Sequence, residues 1–349
     1  MSRSISAITV KLKLIDRASV KILVILTLII TAALIFGWSL MIWMPGVSYR
    51  QALPPLTAAE IQLKDRLEID VKTLSIKIGQ RNVDNYQNLV AAKDFLTKEL
   101  TQAGYPVREQ QYTIDGKSFS NLEVEIPGSS RADEILVIGG HYDSALTSPG
   151  ANDNATGAAA VLALAREFVG TKPMRTLRFV EFTNEEPPFR WTKNMGSLVY
   201  AQAAKQRGDT IVGMFSLEKL GYFTDAANTQ QYPPPLSLFY PNQGNFIGFI
   251  SDLDSRELLR NTIRSFRAQA QFPSEGVALP SLIQNVGGAD RWSFWQQGYQ
   301  ALMITDTAPF RDLQGQTDGD TAAKIDFEKL SRVTDGISKL IRDFVGLAG

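Results

Sequence analysis

Apolar and polar positions follow three different rhythms along this chain. Residues 22–44 read ILVILTLIITAALIFGWSLMIWM, without a charge and long enough to cross a hydrocarbon core as a helix. Arg3, Lys11, Lys13, Arg17 and Lys21 precede the run, opposed only by Asp16. That asymmetry predicts a cytoplasmic N-terminus, with everything after Met44 on the periplasmic or extracellular side. Trp38 and Trp43 lie toward the outer end, where indole rings suit the interface. The run is longer than a signal-peptide core and has no A-x-A site near its end, so a single-pass signal anchor is predicted rather than a cleaved leader.

After PGVSYRQALPPL the pattern becomes that of a folded domain. Helical periodicity marks residues 57–78 and 83–103, the second ended by Gly104. VREQQYTIDGKSFSNLEVEI alternates like two strands turning at Asp115-Gly116. Short apolar runs then predict buried strands: EILVIGG, TLRFVEFT, IVGMFSLE, LSLFY and ALMITD. Between them, ATGAAAVLALAREFV is apolar nearly all round, SRELLRNTIRSFRAQ is amphipathic, and IDFEKLSRVTDGISKLIRDFV repeats apolar residues from Phe327 to Phe344. Strands alternating with helices predict an α/β fold with a mixed, largely parallel central sheet flanked by helices. The organisation expected is a cytoplasmic tail at 1–21, the transmembrane anchor at 22–44, a juxtamembrane segment and helix at 45–79, and the α/β domain at 80–349.

Composition removes several alternatives. The 349 residues carry 36 Lys plus Arg against 36 Asp plus Glu, so no net charge points to nucleic acid as a partner. There is no cysteine, which excludes disulfides and thiolate metal ligands. There is one histidine, His141.

That histidine stands with acids in a telling position. In open α/β sheets, ligands bind beyond the carboxyl ends of the strands. His141 and Asp143 follow EILVIGG, Asp153 lies before the buried helix, Glu185 and Glu186 follow TLRFVEFTN, and Glu218 follows IVGMFS. So many carboxylates in one crevice repel unless a cation neutralises them. Zinc takes mixed nitrogen and oxygen ligands at about 2.0–2.2 Å. In H-x-D, Asp143 can fix the imidazole from behind. Paired glutamates suit a division in which one binds metal and the other takes a proton from water. Each element alone is ordinary: His-x-Asp is usually a hydrogen-bonded pair, and Glu-Glu a solvated edge. Their repetition after successive apolar strands makes the case.

In order, GGHYDS, PGANDNATG, FVEFTNEEPPF, MGSLVYA, SLEKLGY, ALMITDT and IDFEKLSRV resemble metallopeptidase family 28, the co-catalytic zinc aminopeptidases related to glutaminyl cyclases. The resemblance runs from about residue 80 to the C-terminus. It implies a peptidase acting on peptide or protein substrates. It also implies one zinc on His141, Asp153 and Glu218, with Asp153 bridging to a second zinc on Glu186 and a C-terminal histidine. Glu185 is implied as general base, Asp143 as the residue orienting His141, and Asp153-Asn154 as a cis peptide.

The chain departs from this pattern where it matters. GQTDGDT, residues 315–321, places Gln316 where the family has a histidine, and ADRWSFW places Arg291 where it has another. A glutamine amide is a weaker zinc donor than imidazole. The zinc on His141, Asp153 and Glu218 is therefore expected to be held firmly, and the second, on Asp153 and Glu186 with at best Gln316, weakly or not at all. Two readings follow. The retained acids favour a membrane-anchored zinc hydrolase removing N-terminal residues, in which Glu185 activates a metal-bound water. The lost histidines favour a degenerate member that binds a peptide or partner without cleaving it. A glutaminyl-cyclase-like transferase is a weaker third reading, because its single zinc uses the missing histidine.

Overall fold

A computed structural model describes residues 17–280, 289–312 and 316–347. The apolar run forms helix α1, Arg17–Met41, and its large side chains project outward, Leu28 65% and Leu34 69% exposed. The helix ends three residues before the run does. Met44 turns instead into the domain, where Arg267 Nη1 donates to Pro45 O at 3.1 Å and Ser274 N to Ser48 Oγ at 2.9 Å.

Helix α2, Ala58–Lys72, starts at a capping box in which Thr57 and Glu60 satisfy each other's backbone donors. Helix α3 follows at Tyr86–Gln102. Strands β1, Arg108–Ile114, and β2, Lys117–Ile126, make the hairpin expected from Asp115-Gly116, both turn residues having positive φ. Then come β3, Arg131–His141; α4, Thr156–Phe168; β4, Arg175–Phe182; α5, Gly196–Arg207; and β5, Thr210–Leu217. The C-terminal part adds β6, Ile247–Asp252; α6, Arg256–Gln269; β7, Ser274–Leu279; α7, Ala289–Gln296; β8, Ala301–Thr305; and α8, Phe327–Val345.

The eight strands form one sheet in the order β1-β2-β4-β3-β5-β8-β6-β7. Its centre is parallel, β4 and β5 flanking β3 and β8 lying beside β5, while β1, β2 and the β6–β8 junction are antiparallel. Alternation along β3 feeds two cores. Leu136 and Ile138 pack under α2, α3, α4, α6 and α8, whereas Ile135 and Val137 pack with Tyr200 and Phe294 of α5 and α7. Helix α4 is buried almost entirely because it lies between the sheet and other helices.

Sequence periodicity mistook one element. LSLFY is not a strand; Leu236–Leu238 is a single tight turn after the cis Pro234-Pro235 bond, with Leu238 79% exposed. Strands β6 and β7 and helices α5 and α7 were not foreseen.

Candidate metal centre

The carboxyl ends of the central strands deliver the site. His141 closes β3 in register with Phe182, the last residue of β4. Asp143 lies just past β3, Glu185 and Glu186 past β4, and Glu218 immediately after β5. Asp153 comes from the crossover into α4, and the Asp153-Asn154 peptide is cis, as the resemblance implies. Asn154 locks this crossover to β5, donating to Leu217 O at 2.9 Å and accepting from Lys219 N at 2.9 Å. Gly157 permits the close approach, since a Cβ there would stand 2.2 Å from Leu217 O.

The donor atoms of His141, Asp153 and Glu186 lie within 4.8 Å of one another, and all three residues are buried. His141 Nε2 is 3.6 Å from Asp153 Oδ1. Two donors on one zinc, each about 2 Å from it, stand roughly 3–4 Å apart; the His141–Asp153 pair has that spacing, and Glu186 completes a nitrogen–oxygen–oxygen set that a small closure would bring onto one ion. Asp143 supports both sides of it. Its Oδ1 is 3.3 Å from His141 Nδ1, and its Oδ2 accepts from Glu186 N at 3.0 Å.

Glu218 meets this set through a cation of the chain itself. Lys219 Nζ lies 2.9 Å from Asp153 Oδ1 and 3.5 Å from Glu218 Oε2, while Ser216 Oγ donates to Glu218 Oε1 at 3.0 Å. A second cation meets Glu186, whose Oε1 accepts from Arg190 Nη2 at 2.8 Å. Gln316 stands at the exposed edge, its amide 3.4 Å from Asp153 Oδ2 and 3.5 Å from Glu186 Oε2. With its oxygen turned to Arg190 it accepts at 3.1 and 3.3 Å.

Glu185 is held in place from α5. Both its oxygens are held by Ser197 at the start of α5, from N at 2.7 Å and from Oγ at 2.8 Å. Gly196 lets that helix end approach, because a Cβ there would fall 2.4 Å from Thr183 O. Arg291 is buried with its guanidinium over the Trp295 ring at 5.0 Å and Nη1 3.2 Å from Met303 Sδ.

Burial sets the electrostatics. It pushes Glu186 up to about 8, Asp153 adding to the effect. It drives Glu185 well above the ordinary carboxylate range, with Asp290 and Asp143 close by. At Asp153 burial acts the same way, but Lys219 and His141 outweigh it and hold the carboxyl below its usual value.

Three further residues complete the frame. Arg81 is fully buried, and its guanidinium donates to Tyr142 O, Leu74 O, Gly79 O, Pro149 O and Gly150 O at 2.7–3.0 Å. Asp320 accepts from the backbone N–H groups of Asn152 at 2.8 Å and Asp153 at 3.0 Å. Asp306, just past β8, accepts from Asn152 Nδ2 at 2.9 Å and Tyr222 N at 2.7 Å. The acid after β8 follows the same strand-end rule that singled out the others.

Known proteins share this fold in outline. Residues 121–341 match the profile of Peptidase family M28. An uncharacterized Escherichia coli protein, YfbL, is 30% identical over 286 residues, covering 79% of this chain and 87% of its own length. A probable zinc metalloprotease of Pyrenophora tritici-repentis is 28% identical over 70% of this chain, which spans 58% of that relative's length. Among solved structures, the zinc aminopeptidase BSAP of Bacillus subtilis superposes with a TM-score of 0.65 at 12% identity, covering 81% of this chain and 95% of its own. A Bacteroides thetaiotaomicron glutaminyl cyclase superposes with a TM-score of 0.59 at 16% identity, over 80% of this chain and 97% of its own. Strand order, ordered motifs and sequence likeness agree: the chain belongs to peptidase family M28, a family of zinc metallopeptidases.

Proposed function

We propose that this chain is a membrane-anchored, zinc-dependent hydrolase that removes N-terminal residues from peptides. The observation that carries this reading is the buried His141–Asp153–Glu186 set at the carboxyl edge of the sheet. These three residues are the ones to hold the ion. Zinc supplies a Lewis acid that polarises a scissile carbonyl and acidifies water. The chain supplies the rest. Asp143 orients the His141 ring and anchors the Glu186 backbone. Glu185, aligned by Ser197, takes the proton of the attacking water. Glu218 holds Lys219, and Gln316 lies at the open edge with its amide nitrogen toward Asp153.

The anchor is helix α1. Within residues 18–41 the most apolar 18-residue stretch has a mean hydropathy of 2.6, and none of it is buried in the protein. At about 1.5 Å per residue the helix is longer than the roughly 30 Å hydrocarbon core. The basic residues before it support a cytoplasmic N-terminus and a domain outside.

A second reading has its own support, since Lys219 and Arg190 already neutralise part of the acid cluster. In that reading the chain binds peptides without cleaving them. Turnover of aminoacyl-anilides by the full-length protein in detergent separates the two. Hydrolysis that depends on a divalent metal, and falls on the order of 10²- to 10⁴-fold in Glu185→Gln without loss of bound zinc, supports the hydrolase. No turnover by the parent with any divalent metal leaves the binding module.

A further inference from the structure

Lys219 is held in place at the backbone. Its φ is +55°, a left-handed conformation uncommon outside glycine. Its N–H donates to Asn154 Oδ1 at 2.9 Å, and its carbonyl accepts from Asp306 N at 2.6 Å. Asn154 belongs to the Asp153 crossover and Asp306 to the end of β8, so two neighbouring elements clamp this residue. The side chain is only 9% exposed and ends between Asp153 and Glu218. A lysine on a solvated face is mobile; this one delivers its ammonium to a defined point inside the acid cluster.

The position of that charge bears on the number of ions. The resemblance implies two zincs bridged by Asp153, the first sharing Glu218. Here Glu218 spends one oxygen on Ser216 and the other on Lys219, and Asp153 Oδ1 faces both Lys219 and His141. An ion bridging Asp153 and Glu218 would meet a buried unit positive charge. In the opposite half Arg190 takes only Glu186 Oε1; among the described residues, Glu186 Oε2 and Asp153 Oδ2 face nothing but the exposed Gln316 amide nitrogen at 3.4–3.5 Å, and His141 Nε2 lies 3.6 Å from Asp153 Oδ1.

We propose that Lys219 is a built-in second cation: its ammonium holds the Asp153–Glu218 half of the centre, leaving one zinc position on His141, Asp153 and Glu186. This rests on the reading of the site as a zinc centre. It makes the chain a one-metal variant of a two-metal design, with lysine supplying charge but no Lewis acidity where the other ion would lie.

The test is zinc binding, not turnover. Full-length protein in detergent is equilibrated with zinc against a competing chelator, and metal per chain is measured by plasma mass spectrometry. The parent binds one zinc. Lys219→Met removes a positive charge from the ion's immediate surroundings and frees two carboxylates, so zinc affinity rises roughly tenfold or more. Its unfolding midpoint becomes strongly zinc-dependent, because metal must now neutralise Asp153 and Glu218. Lys219→Arg keeps the charge and stays close to the parent. If Lys219→Met does not fold without metal but folds with it, the proposal is supported. If it folds in neither condition, the double variant Glu218→Gln/Lys219→Met decides: folding with one zinc supports the charge pairing, and failure to fold overturns it. Two zincs in the parent, or a folded Lys219→Met with affinity within about twofold of the parent, also overturn it. Absence of peptide hydrolysis alongside the lysine-dependent binding would dismiss the enzyme reading and leave this one standing.

Discussion

Replacing Arg81 by methionine perturbs the centre without touching any donor of the metal set. The guanidinium reaches five backbone carbonyls, among them Tyr142 O between His141 and Asp143, and Pro149 O and Gly150 O at the start of the Asp153 loop. Methionine fills much of the volume but donates nothing. A buried carbonyl left without a donor costs on the order of 1 kcal/mol or more, and water re-solvates those nearest the surface. Five acceptors then give a loss of about 3–5 kcal/mol. For a domain of this size each kcal/mol lowers the unfolding midpoint by about 2–4 °C, so the expected drop is roughly 10 °C. Arg81→Lys, with a compact ammonium that spans fewer acceptors, loses about half as much. Thermal unfolding followed by circular dichroism reads the stability, and chelator competition reads zinc affinity. Affinity falls roughly tenfold in Arg81→Met because two of the three segments that carry the metal set, those of His141 and Asp153, loosen. A methionine variant melting within about 2 °C of the parent would refute the idea that this arginine frames the site.

Two further substitutions probe the donor set. Asp143→Asn keeps the shape but weakens the hold on the His141 ring and on Glu186 N, so zinc affinity falls about 10- to 100-fold while the fold persists, measured by chelator competition and circular dichroism. Gln316→His places an imidazole where the amide now lies 3.4 Å from Asp153 Oδ2, and the same competition assay should show zinc bound at least about tenfold more tightly. An unchanged affinity in Gln316→His would remove Gln316 from the centre.

The order of strands and acids was legible in the sequence because each apolar run ends where a charged residue begins. His141, Asp153, Glu185, Glu186 and Glu218 were recognised that way, and the structure brings three of the candidate ligands, His141, Asp153 and Glu186, together. Strands β6 and β7 escaped because IGFISD and SEGVAL are short runs that carry glycine and charge, and only their pairing in the sheet explains their burial. LSLFY misled for the opposite reason: its apolar run follows three prolines and faces outward instead of pairing. Lys219 and Arg190 look like ordinary surface charges in sequence. A left-handed backbone turns the first inward, and the turn after Pro187-Pro188 brings the second onto Glu186. Arg81 has no local signature, since its acceptors lie up to 69 positions away along the chain.

Anomalous diffraction at the zinc edge, from crystals of the full-length protein grown with zinc, tests the central claim most directly. One peak is expected, within about 2.3 Å of His141 Nε2 and of carboxylate oxygens from Asp153 and Glu186. No peak at His141, or a peak bonded to Glu218 in place of Glu186, would contradict it.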